Sequence, residues 1–193
     1  KNFFSTINSA NSYWAGFIAA DGYITKDGVS IKLSIKDCEH LEIFKNLLNY
    51  NGEIKVLKGV GTYNPNSVFS ALNLYSIKIK EDLKTNFGID KKKTFNIKFP
   101  TKFISKRSLD SFIIGYVDGD GYIGVCSRRI SFRILGNRDF LIGIQKRFSE
   151  ICQEQVGTIF TKGNIFDLAV YGKNARKLFK HFYNINIIHL CYF

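Results

Sequence analysis

Methionine is absent from this 193-residue chain, even at position 1. The expectation is a segment cut from a longer reading frame, or one trimmed at its ends. Only 2 prolines occur and no Pro/Gly/Ser-rich stretch interrupts the chain, so the composition is not that of a disordered protein. No apolar run reaches the roughly 18 residues that a membrane span needs. No charged, apolar and small-residue succession of a secretory signal opens the sequence. The 4 cysteines, Cys38, Cys126, Cys152 and Cys191, form no CxxC pair and no zinc pattern. They read as reduced and mostly buried. The 3 histidines, His40, His181 and His189, show no metal-ligand spacing, and no Walker-type or GxGxxG loop occurs. The expected setting is intracellular and reducing: a bacterial or phage cytoplasm, or an organelle.

Acidic residues are also scarce, 16 against 28 Lys and Arg, for a net charge of +12. Residues 1–100 carry 14 basic and 9 acidic groups, and residues 101–193 carry 14 and 7, so the excess is not confined to a tail. A polyanion is the natural partner and nucleic acid the commonest one. Charge alone leaves open a basic surface without function. With 45% hydrophobic and 15% aromatic residues, the chain can build one sizeable core or two small fused ones.

The informative feature is a duplication. Tyr13-Trp14-Ala15-Gly16-Phe17-Ile18-Ala19-Ala20-Asp21-Gly22-Tyr23-Ile24 returns, 99 residues on, as Phe112-Ile113-Ile114-Gly115-Tyr116-Val117-Asp118-Gly119-Asp120-Gly121-Tyr122-Ile123. Each copy is followed by alternating polar and apolar residues, Ser30 to Lys36 and Arg129 to Ile134. A helical pattern comes next, with Leu41, Phe44, Leu47 and Leu48 in one copy and Phe140, Ile144, Phe148 and Ile151 in the other. Two strand candidates then follow in each, 52–57 with 71–77 and 156–161 with 165–171. A second amphipathic helix closes each copy, on Leu83 and Phe87 and on Leu178 and Phe182. Each repeat reads helix, hairpin, helix, hairpin, helix. The expected class is α+β, with helices on one face of an antiparallel sheet. The repeats are expected over 1–100 and 101–193, parted near Pro100, where an extended 95–99 segment ends.

Glycine inside a helix costs about 1 kcal/mol against alanine. Its presence twice, at Gly16 and Gly115, points to two helices packed backbone to backbone. Gly22 and Gly121 are then expected to cap those helices, which puts Asp21 and Asp120 side by side at two helix C-termini. A carboxylate is poorly placed there, because the helix dipole and free carbonyls are already negative. A divalent cation between them makes the arrangement sensible. Carboxylate and carbonyl oxygens suit Mg²⁺, and paired metals can stabilise the attacking and leaving oxygens of phosphodiester hydrolysis. A plain helix stop before a strand would account for one Asp-Gly-Tyr-Ile copy, but fits two copies with matched sequels poorly.

These two segments resemble the LAGLIDADG motifs of homing endonucleases, and the resemblance covers nearly the whole chain. It implies two αββαββα repeats related by a pseudo-two-fold axis, saddle-shaped sheets, and motif helices packed at the centre. It also implies site-specific cutting of both DNA strands by a monomer with Mg²⁺, with Mn²⁺ or Ca²⁺ able to substitute. Asp21 and Asp120 match the metal-binding acids, and the carbonyls of Ala20 and Gly119 match further metal ligands. Ala19 stands where the motif has Asp, a position that is not a ligand, whereas Asp118 keeps it. Trp14 and Ile114 depart from the motif in packing only. Lys93, in Gly88-Ile89-Asp90-Lys91-Lys92-Lys93-Thr94, best matches a catalytic lysine beside the metals. Lys91–Lys93 reads equally well as a solvated charge run or a phosphate contact. The matching stretch of the second repeat, 183–189, has no Lys or Arg.

Strand alternation puts Ser30, Lys32, Ser34 and Lys36 opposite Ile31, Leu33 and Ile35. It likewise puts Arg129, Ser131 and Arg133 opposite Ile130, Phe132 and Ile134. Lys55, Asn73, Tyr75 and Lys162 are further candidates for a face that reads base edges in the major groove. Two such sheets in tandem would span about two turns of duplex. The repeats differ, so the site is expected to be non-palindromic. Two other readings use the same fold: an RNA maturase assisting intron splicing, and a DNA-binding relative that does not cut.

Overall fold

The structure is a computed structural model that describes residues 2–59, 66–91, 93–103, 105–126 and 129–184. The first repeat runs α1 (Ser9–Asp21), β1 (Gly22–Ile24), β2 (Gly28–Ser34), α2 (Cys38–Leu47), β3 (Ile54–Lys58), β4 (Val68–Tyr75) and α3 (Ile77–Phe87), with a short α4 (Lys93–Asn96) after it. The second runs α5 (Lys106–Asp120), β5 (Gly121–Cys126), β6 (Arg129–Gly136), α6 (Arg138–Cys152), β7 (Thr158–Lys162), β8 (Ile165–Tyr171) and α7 (Gly172–Asn184). The two sheets have orders β1-β2-β4-β3 and β5-β6-β8-β7, all antiparallel. This is the α+β class with an αββαββα order in each repeat. The expected extended segment at 95–99 differs at its start, because α4 covers Lys93–Asn96.

α1 opens with a reciprocal cap. The Asn8 side chain accepts the Asn11 N–H at 3.0 Å, and the Asn11 side chain accepts the Asn8 N–H at 2.7 Å. From Asn11 to Ala20 every residue of α1 is buried, so the helix has no solvent face. α5 lies against it and is buried from Asp110 to Val117, with exposed or half-buried residues toward each end. Behind α1, Trp14 stacks on Phe44 with ring centroids 4.2 Å apart. Behind α5 the link is ionic. Arg147 donates to Asp110 at 2.7 and 2.8 Å and to Glu150 at 2.9 Å, and His181 Nε2 lies 2.9 Å from Asp110. Removing either Arg147 or Asp110, both buried, strands the other.

The core face of the first sheet is Ile24, Val29, Ile31, Leu72 and Leu74, and that of the second includes Phe132, Ile134, Leu168 and Val170. The anticipated helix stripes at Leu41 and Phe44, at Phe140, Ile144 and Phe148, and at Leu83, Phe87, Leu178 and Phe182 are buried; Leu47 instead stays 45% exposed. Cys152 is buried and Cys38 half-buried, both as free thiols. Among the described residues no helix is long and apolar enough to cross a membrane.

Candidate active site at the junction of the motif helices

The two motif glycines make the junction. A Cβ built on Gly16 would sit 2.0 Å from the Phe112 carbonyl oxygen, and one on Gly115 would sit 1.9 Å from that of Tyr13. Phe112 and Gly115 lie 99 residues beyond Tyr13 and Gly16, so the contact repeats itself across the pseudo-dyad. Further along, a Cβ on Gly119 would meet the Ala20 Cβ at 2.4 Å and an Asp21 carboxylate oxygen at 3.3 Å. The C-terminal ends of α1 and α5 therefore touch, and Asp21 and Asp120 stand next to each other.

Gly22 and Gly121 occupy the cap positions, but with extended backbone (φ −73° and −94°) instead of the left-handed cap. Their small size serves close approach. An added Cβ would lie 2.6 Å from the Ile18 carbonyl at one site and 2.4 Å from the Val117 carbonyl at the other. Left-handed backbone does occur at Gly88 (φ 71°), where Ile89 N–H reaches the Leu83 carbonyl and Gly88 N–H the Lys84 carbonyl, each at 3.1 Å. That turn buries Ile89 and sends the chain back toward the motif helices.

Lys93 is delivered there. Its ammonium donates to the Ala19 carbonyl at 2.7 Å and to the Ala20 carbonyl. The charges of Asp21 and Asp120 both act on it. Burial is the main reason that both carboxyls titrate above the ordinary aspartate value; the Asp120 charge adds to the rise at Asp21, and the Lys93 charge offsets part of both. Burial likewise lowers the Lys93 ammonium, against the pull of the two acids. Of the residues expected at the catalytic centre, Asp21, Asp120, Lys93, Ala20 and Gly119 all converge on this one spot.

The donor set fits a hard divalent cation: two adjacent carboxylates with raised pKa values and helix-end carbonyls aimed at the same place. No group of three or more His, Cys, Asp or Glu side chains suited to a metal occurs among the described residues. Carbonyl oxygens and water would complete the shell.

Sequence reasoning missed the tie around Asp118. Its carboxylate accepts the Tyr13 hydroxyl at 2.8 Å and the Tyr183 hydroxyl at 2.9 Å, joining α1, α5 and α7. Asp118 and Asp21 line a cavity of about 480 Å³ together with Lys36, His40 and Gly119. His40 sits among Tyr13, Trp14 and Phe17. Burial pushes its pKa down to about 4, so it is neutral near pH 7.

The open sheet faces carry most of the expected polar residues. In the first sheet Tyr23, Ser30 and Asn73 form one cross-strand row, and Lys32, Ala71 and Lys55 form the next. Lys32 and Ser34 are exposed, Ser30 and Asn73 half-buried. Lys32 Nζ lies 4.0 Å from the centre of the Phe69 ring. Lys55, Arg129 and Lys162 are exposed, and Tyr75 is 71% exposed. Three expectations change. Lys36 does not continue the strand, because Ser34 ends it by accepting the Lys36 N–H and starting a 3-10 turn over Ile35–Asp37. Ser131 is fully buried, and its Oγ has no hydrogen-bond partner among the described residues. Arg133 is on the open face but is ion-paired with the buried Asp167.

Arg133→Ala is therefore expected to lower stability, because Asp167 is left buried without its partner. Lys32→Ala should leave stability nearly unchanged. Thermal melts of the two variants check this; equal melting temperatures would mean that the Arg133–Asp167 pair contributes nothing.

No family model matches the sequence. The chain is 29% identical over 179 residues to the probable translation initiation factor IF-2 of Methanocaldococcus jannaschii, and it spans 15% of that protein's length. Among solved structures, a mesophilic variant of the homing endonuclease I-DmoI superposes with a TM-score of 0.63 at 15% identity, over 97% of this chain and all of that one. The N-terminal LAGLIDADG domain of WhiA gives a TM-score of 0.61 at 16% identity, over 95% of this chain and 84% of that one. The meganuclease I-SmaMI bound to DNA gives 0.54 at 14%, over 91% and 85%. The chain has the two-repeat LAGLIDADG fold.

Proposed function

We propose that this protein is a divalent-metal-dependent endonuclease that cuts both strands of double-stranded DNA at a long, non-palindromic site, acting as a monomer. The observation that carries this reading is the meeting of Asp21 and Asp120 at two touching helix ends with Lys93 beside them. Such a cluster of like charge is costly to fold, and a structural helix stop would not require it. I-DmoI has been crystallised with DNA and Ca and with DNA and Mn, which supports a divalent ion here.

In this reading Asp21, Asp120 and the carbonyls of Ala20 and Gly119 hold Mg²⁺, with Mn²⁺ or Ca²⁺ as substitutes. The metal would supply Lewis-acid stabilisation and an activated water. The protein's own part is to fix the acids by the close backbone approach at Gly16 and Gly115, and to bring an ammonium, Lys93, near the charge that develops on the scissile phosphate. The tie between Asp118, Tyr13 and Tyr183 positions the α5 end without touching substrate. The open sheet faces would lie along the major grooves of the two half-sites, with Lys32, Lys55, Arg129 and Lys162 supplying charge and Asn73 and Tyr75 supplying contacts. The 1–100 and 101–193 repeats would each read one half-site. Carriage of the gene by an intron or an intein belongs to the same proposal.

The test is a cleavage-site selection from a randomised duplex library with Mg²⁺. A single long consensus, cut on both strands, is expected. Tight binding of one sequence without any cutting in Mg²⁺ or Mn²⁺ would favour the non-cutting DNA-binding relative. Preference for structured intron RNA over duplex would favour the maturase. With the selected site, Lys32→Ala should weaken binding to all sequences and reduce the salt slope by about one unit. Unchanged binding at two salt concentrations would remove the sheet face from the interface.

A further inference from the structure

The Lys93 ammonium and the cation of the proposed site ask for the same oxygen. Lys93 Nζ donates to the Ala19 carbonyl at 2.7 Å and also to the Ala20 carbonyl, the carbonyl next to Asp21. These are free carbonyls of the last turn of α1, where the helix dipole is negative and a cation is favoured. Both carboxylates act on the same ammonium. Lys93 thus has the ligand set of a resident monovalent cation: two helix-end carbonyls and the field of two acids.

The geometry points to Lys93 as a built-in counter-ion that a divalent cation must displace from the Ala20 carbonyl. An oxygen bound to Mg²⁺ at roughly 2.0–2.1 Å, or to Ca²⁺ at roughly 2.3–2.6 Å, leaves an ammonium on that oxygen within a few ångströms of a double positive charge. The two cations repel strongly at that range. Lysine's four-carbon stem lets its ammonium swing away without moving the backbone. Displacement also does something useful. It turns the ammonium from the carbonyls toward the solvent side, where a phosphate would arrive, so that loading the metal arms the lysine.

Among the described residues the device occurs on one side: Lys93 holds the end of α1, and no lysine or arginine there donates to the Gly119 carbonyl. The competition should fall on the cation held by Ala20 and Asp21 and spare the one held by Gly119 and Asp120. Binding of two cations should then be unequal, with the Ala20 position the weaker. This inference rests on the metal reading given above, and the coupling between ammonium and cation must be reciprocal.

The experiment is calorimetric Ca²⁺ titration of the full chain without DNA, on wild type, Lys93→Met, Lys93→Arg and Lys36→Met. Lys36 lines the cavity beside Asp21 but holds neither carbonyl, so its loss reports the bulk effect of removing one nearby charge. Lys93→Met is expected to tighten the weaker Ca²⁺ site about tenfold, within the usual range of site–site coupling. It should also increase the rise in melting temperature that Ca²⁺ produces. Lys36→Met should tighten binding far less, and Lys93→Arg should restore the weak site. Equal tightening by Lys93→Met and Lys36→Met would overturn direct displacement, as would no tightening at all, while the metal site itself stands. Absence of Ca²⁺ binding in every variant, with Asp21→Asn no different, would sink the metal reading and this inference with it. Melting curves in EDTA show whether each variant is folded, so a binding loss through misfolding is recognised as such.

Discussion

Gly16→Leu and Gly115→Leu are each expected to unfold the protein or part its two halves. The reason is not ordinary crowding. A side chain added to a well-packed core typically costs about 1–3 kcal/mol, and neighbouring rotamers absorb part of it. Here the neighbour is backbone. The first carbon alone would stand 2.0 Å from the Phe112 carbonyl oxygen in one case and 1.9 Å from the Tyr13 carbonyl oxygen in the other. No rotamer change relieves that, so α1 and α5 must separate. Both helices are buried on nearly every side, and their separation opens the core around Trp14, Phe17, Phe112 and Tyr116. Even alanine should act in the same direction. Glycine to alanine inside a helix normally gains about 1 kcal/mol; at these two positions the sign should reverse. Urea or thermal melts decide the matter. Alanine variants that melt at or above wild type would show that the helices do not meet backbone to backbone.

Those two glycines were legible because a duplicated motif states its message twice. A mid-helix glycine is weak information alone, and so is an Asp-Gly pair. The same residues at the same 99-residue offset, each followed by the same order of elements, constrain one another. The strand faces were legible for a similar reason. Alternation at Ile31 and Leu33, or at Ile130, Phe132 and Ile134, fixes which side is core. The helix ends were less so, because the cap glycines could be read as left-handed turns while the true constraint was closeness to the Ile18 and Val117 carbonyls.

What alternation does not supply is the neighbour on the next strand. Arg133 was placed on the correct face, but its pairing with Asp167 depends on a register between β6 and β8 that no local pattern announces. Ser131 shares its face with Arg129 and Arg133 as alternation requires, yet it is fully covered. Lys36 failed for a local and recoverable reason. Ser34 is followed two residues on by an N–H that its side chain accepts, and this serine turn ends the strand before the polar–apolar pattern runs out. The tie of Asp118 to Tyr13 and Tyr183 spans 105 and 65 residues, and only the folded chain brings the three together. The second repeat's match to the Lys93 stretch, 183–189, lies outside the described residues from position 185 on.

Asp21→Asn and Asp120→Asn are expected to abolish double-strand cleavage, each by about 10³-fold or more. A catalytic metal supplies several kcal/mol of charge stabilisation, and each ~1.4 kcal/mol is a factor of ten in rate. DNA binding should largely survive, because the sheet faces are untouched. The same variants should not destabilise the protein, and this separates a working acid from a structural one. Both carboxyls titrate above the ordinary aspartate value of 3.8, mainly because they are desolvated. A group whose folded pKa is raised binds its proton more tightly in the folded state than in the unfolded chain. Stability therefore falls as the pH rises from 3.8 through the raised value, and the ionised pair is a burden at neutral pH. Asparagine keeps the shape and removes the charge. Melts at pH 7 should place both variants level with wild type or above it, and their advantage should shrink as the pH falls through the raised value towards 3.8. Added Mg²⁺ should raise the wild-type melting temperature more than either variant's. Variants that cut at the wild-type rate would end the assignment of these acids to metal. Variants that lose cleavage by unfolding at neutral pH would show that Asp21 and Asp120 hold the helix ends together, and that their charge serves the fold instead of the reaction.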